Sequence, residues 1–323
     1  MKFFKKGCDY VRYHGFMSVF YLFKFVSFYL RRFSGRGSHV VKRINRRYNM
    51  YLDPRDRGIS RALCMYGTRE RDQVSIAQET LIEGMRVLDI GANVGYYALL
   101  EAQLVGRSGR VYAYEPHPGN FRMLRKNVEL NNLLDRVELH QKGVSDRGGS
   151  LEFFLSPRSN LHTLNPKRFK DDTKIERFDD SIEIDVVDIA KVIEDKGDVD
   201  FIRMDIEGHE VEVLNGLFRG IEKGLDLLPS ILLETHFPKY DEKNHNMKQA
   251  ILNLLSRGYD IETIVSNNEF ESPLRMLGYK PKKTIKTDQV YRGIYKGVDN
   301  MDAIYCACDI GGIRAMLLTP KEF

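Results

Sequence analysis

"RVLDIGANVGYYALL", Arg86 to Leu100, decides the fold. The apolar run Arg86–Ile90 is the right length for a buried strand and ends beside an acid, Asp89. Gly91 and Gly95 follow, four residues apart, and a helix-like segment runs on to Leu104. Glycines at such a strand-to-helix turn mark a place where something comes close to the backbone.

The same rhythm continues outward from this unit. Strand-like runs are Arg86–Ile90, Arg110–Tyr114, Val137–His140, Val199–Met204 and Ser230–Glu234. Helix-like segments lie between them at Gly95–Leu104, Gly119–Asn131 and Glu210–Phe218. Alternation of this kind predicts an α/β fold, a parallel sheet with helices on both faces. Leu151–Leu155 reads as an extra strand, and Ser156–Asp180 as a long polar loop of the kind that carries function. Beyond Tyr240 the reading gives a helix at Met247–Leu255, a strand at Tyr259–Val265 and a final strand at Ala303–Ile310. Asp89, Glu115, Gly143–Asp146, Asp205 and Glu234 each follow the end of an apolar run. If the runs are parallel, all five converge on one edge of the sheet, where open α/β sheets bind their ligands.

Two ligand classes use such a loop: dinucleotides and S-adenosylmethionine (SAM). The dinucleotide pattern G-x-G-x-x-G fails here, because Asn93 and Tyr96 stand where its second and third glycines would be. Asp89 at the loop also repels a pyrophosphate and favours a ligand that carries an ammonium group, as SAM does. Glu115 ends the second strand, where an acid can accept both hydroxyls of a ribose.

Composition sets the outer bounds. The chain has 323 residues, 42% hydrophobic and 29% charged, ordinary values for a soluble enzyme. Residues 1–50 hold twelve Lys/Arg against one acid, Asp9, and so carry +11; the rest of the chain is net −6 within an overall +5. The division expected is a basic, aromatic arm at 1–49, helical in part, and a catalytic domain at 50–323. Phe16–Leu30 is almost wholly apolar but, at 15 residues, short for a span. With Lys5, Lys6, Arg12, Arg31, Arg32 and Arg36 around it, residues 1–36 either pack on the domain or lie on an anionic membrane surface. No signal-peptide cleavage pattern is evident, so the expected location is cytoplasmic, peripheral on the inner face of the membrane if the arm binds lipid. Four cysteines without zinc spacing read as reduced thiols.

The segments "VLDIGANVGYYALL", "YAYEPHPGNFRMLRKNVELNN", "GVSD" and "VDFIRMDIEGHEVEVLNG" together resemble the FkbM family of SAM-dependent methyltransferases. "MYGTRE", Met65 to Glu70, resembles that family's lead-in, and the likeness covers roughly residues 50–240. It implies a class I methyltransferase (Rossmann-like) fold, a mostly parallel seven-stranded sheet with the last strand antiparallel. It also implies O-methylation of a hydroxyl, typically on a sugar or polyketide. On this resemblance Glu70, Asp89, Gly91, Asn93, Gly95 and Glu115 hold SAM, with Gly143 and Val144 beside the adenine.

Methyl transfer from a sulfonium needs an aligned acceptor and a base for its proton. "MDIEGHE" crowds the parts together: Asp205 at a strand end, Glu207, and His209 at the start of a helix. His209 beside a carboxylate is the better-poised base, and His236 is a second candidate. Glu210 reads as a partner of the helix N-terminus. Asp205 and Glu234, on adjacent strand ends, could also hold a divalent metal such as Mg²⁺ with waters, which would acidify a bound hydroxyl. Paired carboxylates are common without an ion, so the metal stays open. The acceptor expected is a hydroxyl of a sugar, glycan or related metabolite. The rival is an RNA methyltransferase using the basic arm. It is disfavoured, because no N/D-P-P-Y/F tetrapeptide occurs and the arm's aromatics are clustered rather than interleaved with its bases.

Overall fold

A computed structural model describes residues 40–321 except 57, 167–179, 238–239, 241–242 and 244. The arm, with the Phe16–Leu30 run and the lipid contacts expected of residues 1–36, lies outside the described residues, as does most of the 156–180 loop.

Two compact units are present. The first contains an antiparallel hairpin, β1 (Val40–Ile44) and β2 (Tyr48–Leu52), then helix α1 (Ile59–Tyr66), together with residues 157–160. Asn45 and Arg46 take positive φ at the hairpin turn. The boundary expected after residue 49 falls inside β2.

The second unit begins at Glu70. Its elements are α2 (Arg71–Thr80), β3 (Arg86–Ile90), α3 (Tyr96–Leu104), β4 (Arg110–Tyr114), α4 (Pro118–Leu130), β5 (Val137–His140), β6 (Gly143–Ser145), β7 (Gly149–Leu155) and β8 (Asp180–Asp188). They continue with α5 (Ile189–Lys196), β9 (Phe201–Met204), α6 (Glu210–Glu222), β10 (Ser230–Glu234), α7 (Met247–Leu255) and β11 (Tyr259–Ser266). A short helix α8 (Pro273–Met276), the hairpin β12 (Lys283–Thr287) and β13 (Val290–Lys296), α9 (Asn300–Ile304) and β14 (Ile313–Pro320) complete it.

The main sheet runs β12-β13-β11-β14-β10-β9-β3-β4-β5. β5, β4, β3, β9 and β10 are parallel, and the last strand, β14, lies antiparallel between β10 and β11. The expectation of a mostly parallel seven-stranded sheet is therefore corrected in two respects. The β12–β13 hairpin extends the sheet to nine strands by pairing on the free edge of β11, and every ladder from β10 outward is antiparallel. A separate three-stranded sheet, β6-β8-β7, takes up the extra strand expected at Leu151–Leu155.

Local chemistry explains most boundaries. The central strands are buried on both faces, hence their continuous apolar runs. Pro118 starts α4 at its first position, and the His117 side chain accepts the Asn120 amide. Asp188 caps α5 by accepting from Ala190 N. Ala303–Ile310 is not the final strand. Asp299 accepts the amides of Met301 and Asp302 and starts α9, and the positive-φ pair Gly311–Gly312 separates it from β14. The apolar content of that run covers the core as a helix does, with Ala303, Ile304, Cys306 and Ala307 buried.

Candidate functional site

The carboxyl ends of β3, β4, β9 and β10 carry the predicted acids, and β14 adds a base from the opposite direction. Asp89 is one residue short of the end of β3 and fully buried. Its counter-ion is Arg203 of β9, its cross-strand partner, at 3.4 Å. The same guanidinium reaches Gly91 O at 3.3 Å and Asp205 Oδ2 at 3.0 Å, and it stacks 4.0 Å from the Tyr97 ring centre. Burial raises the pKa of Asp89, with Arg203 opposing the shift, and burial together with Asp89 raises that of Glu101. Asp89 is thus an internal member of a buried network, not a lone charge at the loop mouth.

The loop glycines are placed by protein contacts. A Cβ on Gly91, at φ +83°, would lie 2.3 Å from Asp205 O, and one on Gly95, at φ +93°, would lie 2.9 Å from Leu124 Cδ1. Asn93 also adopts positive φ, and its amide donates to Glu115 Oε2 at 2.9 Å. His117 N donates to Glu115 Oε1 at 2.8 Å. Glu115 therefore staples the β3–α3 loop to the end of β4, and it accepts a further hydrogen bond from the Asn120 side chain. Burial, only partly offset by these amides, pushes its carboxyl up to about 7. Gly143 and Val144 are buried in β6 beside β8, and Val144 belongs to the same core as Tyr114.

The second cluster forms around His236, just past β10. His236 Nε2 lies 3.7 Å from Asp205 Oδ1, 3.5 Å from Glu207 Oε2 and 3.5 Å from Glu234 Oε1. Its Nδ1 is 2.9 Å from Glu210 Oε1. Glu210 Oε1 also accepts from Ile206 N and Gly208 N at 3.2 Å, so it closes the turn before α6. Burial opposes the charges here, but attraction to Glu210 and Glu207 raises the His236 pKa well above the usual imidazole range. For Glu210 burial raises the pKa, but the His236 charge together with hydrogen bonds from His236 and the backbone amides outweighs it and takes the carboxyl down to about 2. Burial and the neighbouring Glu234 push Asp205 up to about 7. Arg314 of β14 bridges Glu234 and Glu70, and Gln73 donates to Glu234 Oε2 at 3.0 Å.

His209 does not join this cluster. Glu207 and Gly208, both at positive φ, turn the chain so that its ring faces β6. Nε2 lies 2.8 Å from Ser145 Oγ, and Nδ1 lies 3.3 Å from Asn165 Nδ2 and 3.4 Å from Glu212 Oε2. Burial lowers its pKa. Thr163 donates to Glu207 O at 2.9 Å and Asn165 to Gly208 O at 2.9 Å, so the described end of the polar loop clamps this turn.

Sequence reasoning missed Arg203, Arg314, Gln73, Thr163 and Asn165. Arg203 alone had a readable signal, a charge inside the apolar run "VDFIRMD". A charge buried there requires partners, and acids stand in register on β3 and two residues on.

The residues fit SAM. Glu115 keeps one lone pair for a ribose hydroxyl, and carboxylates outnumber arginines at the strand ends, as suits a ligand with ammonium and sulfonium groups. The sequence matches the family model "Methyltransferase FkbM domain" over residues 89–261, more than half of the chain. The chain belongs to the FkbM methyltransferase family.

This family member is 26% identical over 176 residues to methyltransferase sdnD of Sordaria araneosa, a match covering 47% of this chain and 66% of that protein. It is 25% identical over 158 residues to hexuronic acid methyltransferase AglP of Haloferax volcanii, covering 47% of this chain and 58% of that protein. The match thus spans less than two thirds of the length of these curated relatives. Among solved structures it is similar to an FkbM methyltransferase from Methylobacillus flagellatus KT, with 20% identity, a TM-score of 0.34 and coverage of 54% of this chain and 36% of that one. It is also similar to an O-methyltransferase from Bacillus cereus in complex with SAH, with 14% identity, a TM-score of 0.39 and coverage of 77% and 81%. The fold is that of a class I methyltransferase, with β14 as its antiparallel last strand and the β12–β13 hairpin as an addition. Among the described residues no helix is long and apolar enough to cross a membrane.

Proposed function

We propose that this FkbM-family chain transfers a methyl group from SAM to a hydroxyl of a sugar, glycan or related metabolite. The observation that carries the reading is the placement of two arrangements at the carboxyl edge of one parallel sheet. One is the β3–α3 loop stapled by Glu115; the other is the cluster of Asp205, Glu207, Glu234 and His236. A ligand seated on the loop has its reacting end within reach of the cluster.

When bound, SAM supplies an activated methyl carbon on a sulfonium. Glu115 holds the ribose, while the loop backbone follows the methionine part. The acceptor oxygen forms the new carbon–oxygen bond as the carbon–sulfur bond breaks, and its proton passes to a carboxylate of the cluster. Asp205 is the best placed for that proton: its Oδ1 is buried with no hydrogen-bond partner among the described residues, and its pKa of about 7 suits a base near neutrality. His236, held protonated by Glu210 and Glu207, offers positive charge rather than a base. His209 sets the turn through Ser145 and Asn165.

The sugar-class acceptor is supported by the resemblance read from the sequence and by the Haloferax relative, which is named a hexuronic acid methyltransferase. The basic, aromatic residues 1–36 support a seat on an anionic lipid surface at the cytoplasmic face, within reach of a lipid-linked glycan. Calorimetry tests the cofactor directly. The purified chain should bind S-adenosylhomocysteine and ignore NAD, and a chain that binds NAD and ignores both SAM and S-adenosylhomocysteine would sink the reading.

A further inference from the structure

We propose that Asp205, Glu234 and His236 bind one first-row divalent cation of the Mn²⁺ type at the carboxyl edge of the sheet. One donor atom from each residue lies within 4.8 Å of the other two. Donors about 2.1 Å from an ion, at tetrahedral to octahedral angles, stand about 3.0–3.4 Å apart. The distances of 3.5 and 3.7 Å from His236 Nε2 to Glu234 Oε1 and Asp205 Oδ1 are close to that spacing and too long for good hydrogen bonds.

Three further observations point to a cation. His236 Nε2 and Asp205 Oδ1 are buried polar atoms with no hydrogen-bond partner among the described residues, and both face the shared space. His236 is 8% exposed, so water does not stand in freely for a missing partner. Its Nδ1 lies 2.9 Å from Glu210 Oε1, the carboxylate–histidine arrangement that fixes the ring and leaves Nε2 as the ligand nitrogen. Finally, four carboxylates surround His236, while each nearby arginine is shared with another buried acid, Arg203 with Asp89 and Arg314 with Glu70. SAM brings only one net positive charge, so it does not balance this surplus.

Ion type follows from the donors. One imidazole nitrogen with carboxylate oxygens suits Mn²⁺, Fe²⁺ or Zn²⁺ better than Mg²⁺, which holds to oxygen and water. The Glu207 carboxylate, with Oε2 3.5 Å from His236 Nε2, borders the same space and offers a further oxygen. The ion site shares Asp205 and His236 with the proposed transfer: the ion takes the place of the Nε2 proton on His236 and occupies Asp205 Oδ1. Binding is measured first with neither SAM nor acceptor present, so failure of one reading is distinguishable from failure of the other.

The test titrates the metal-free full-length protein with Mn²⁺ in excess Mg²⁺, following the free ion by electron paramagnetic resonance. One ion should bind per chain, and spin-echo modulation of the bound ion should show nitrogen coupling from a single imidazole. Asp205→Asn and His236→Ala should each weaken binding about tenfold or more, and Glu210→Gln by about 10–100-fold through loss of ring orientation. Glu129→Gln, on the exposed face of α4, should bind as wild type. If the cluster variants do not fold, the nitrogen signal of the wild type decides. A folded wild type that leaves Mn²⁺ free, a bound ion without nitrogen coupling, or folded cluster variants that bind unchanged would each overturn the site. Release of the ion on adding SAM would assign the surplus charge to the methionine ammonium and overturn it too.

Discussion

Glu115→Gln is the most informative single change to the proposed cofactor site. Glu115 accepts from Asn93 N at 2.9 Å, from His117 N at 2.8 Å and from the Asn120 side chain, and it is proposed to take a ribose hydroxyl on its remaining lone pair. The amide keeps the shape but turns one oxygen into a donor. That donor opposes a backbone N–H and can no longer accept from a ribose hydroxyl. Losing one charged hydrogen-bond set costs about 1.5–3 kcal/mol, which is roughly 10- to 150-fold in affinity. The wild type should also show a pH signature. Its carboxyl sits at about 7, raised by burial, and the ligand hydroxyl prefers the ionised form. Affinity should therefore be full above pH 7 and fall by up to about tenfold per unit below it. Glu115→Gln should be flat over the same range. Calorimetry with S-adenosylhomocysteine between pH 5.5 and 8 measures both, with thermal unfolding as the control for folding. Wild-type affinity that ignores pH, or a variant within about twofold of wild type at pH 8, would refute the reasoning.

Asp205→Asn should retain S-adenosylhomocysteine binding while methyl transfer drops by roughly 10²–10⁴-fold, as expected on removing a proton acceptor; single-turnover rates check it. His209→Ala should act on stability instead, costing about 1–3 kcal/mol in denaturant unfolding through the stranded Ser145 and Asn165 groups, with the transfer rate changed only several-fold. A rate loss as large as that of Asp205→Asn, in a folded His209→Ala protein, would return His209 to the chemistry. Arg203→Leu leaves Asp89 and Asp205 without their guanidinium and should cost about 3–5 kcal/mol, read as a lowered unfolding midpoint. The intact chain should float with anionic liposomes at low salt while a chain starting at Val40, which keeps β1, should not; a folded intact chain that stays off the liposomes removes the lipid role of residues 1–36.

The half of the molecule from Arg86 to Glu234 was the more legible in the sequence. Its strands are buried on both faces and read as short apolar runs, and the acids at their ends mark where those runs stop. The C-terminal half was less so. The alternating, half-exposed β12 and β13 carry a weak apolar signal, and the apolar run at Ala303–Ile310 suits a buried helix as well as a strand. Asp205, Glu207 and Glu234 were found as site candidates because strand ends are visible in one dimension. The choice between His209 and His236 was not visible. It turns on two consecutive positive-φ residues, Glu207 and Gly208, which send His209 toward Ser145 and leave His236 among the carboxylates. Arg314 was out of reach for a different reason: it enters the site on β14, and the sequence places no strand there until the end of α9 is known.

Methyl transfer itself is the central claim, and one incubation tests it. Purified protein, isotopically methyl-labelled SAM and a carbohydrate and metabolite extract from cells lacking the gene are combined, and the products are examined by mass spectrometry. The account predicts S-adenosylhomocysteine and a labelled methyl ether on a sugar-containing product, both lost with Asp205→Asn. Label that stays on SAM although the protein binds S-adenosylhomocysteine, or label that enters only RNA when RNA is supplied, would contradict it.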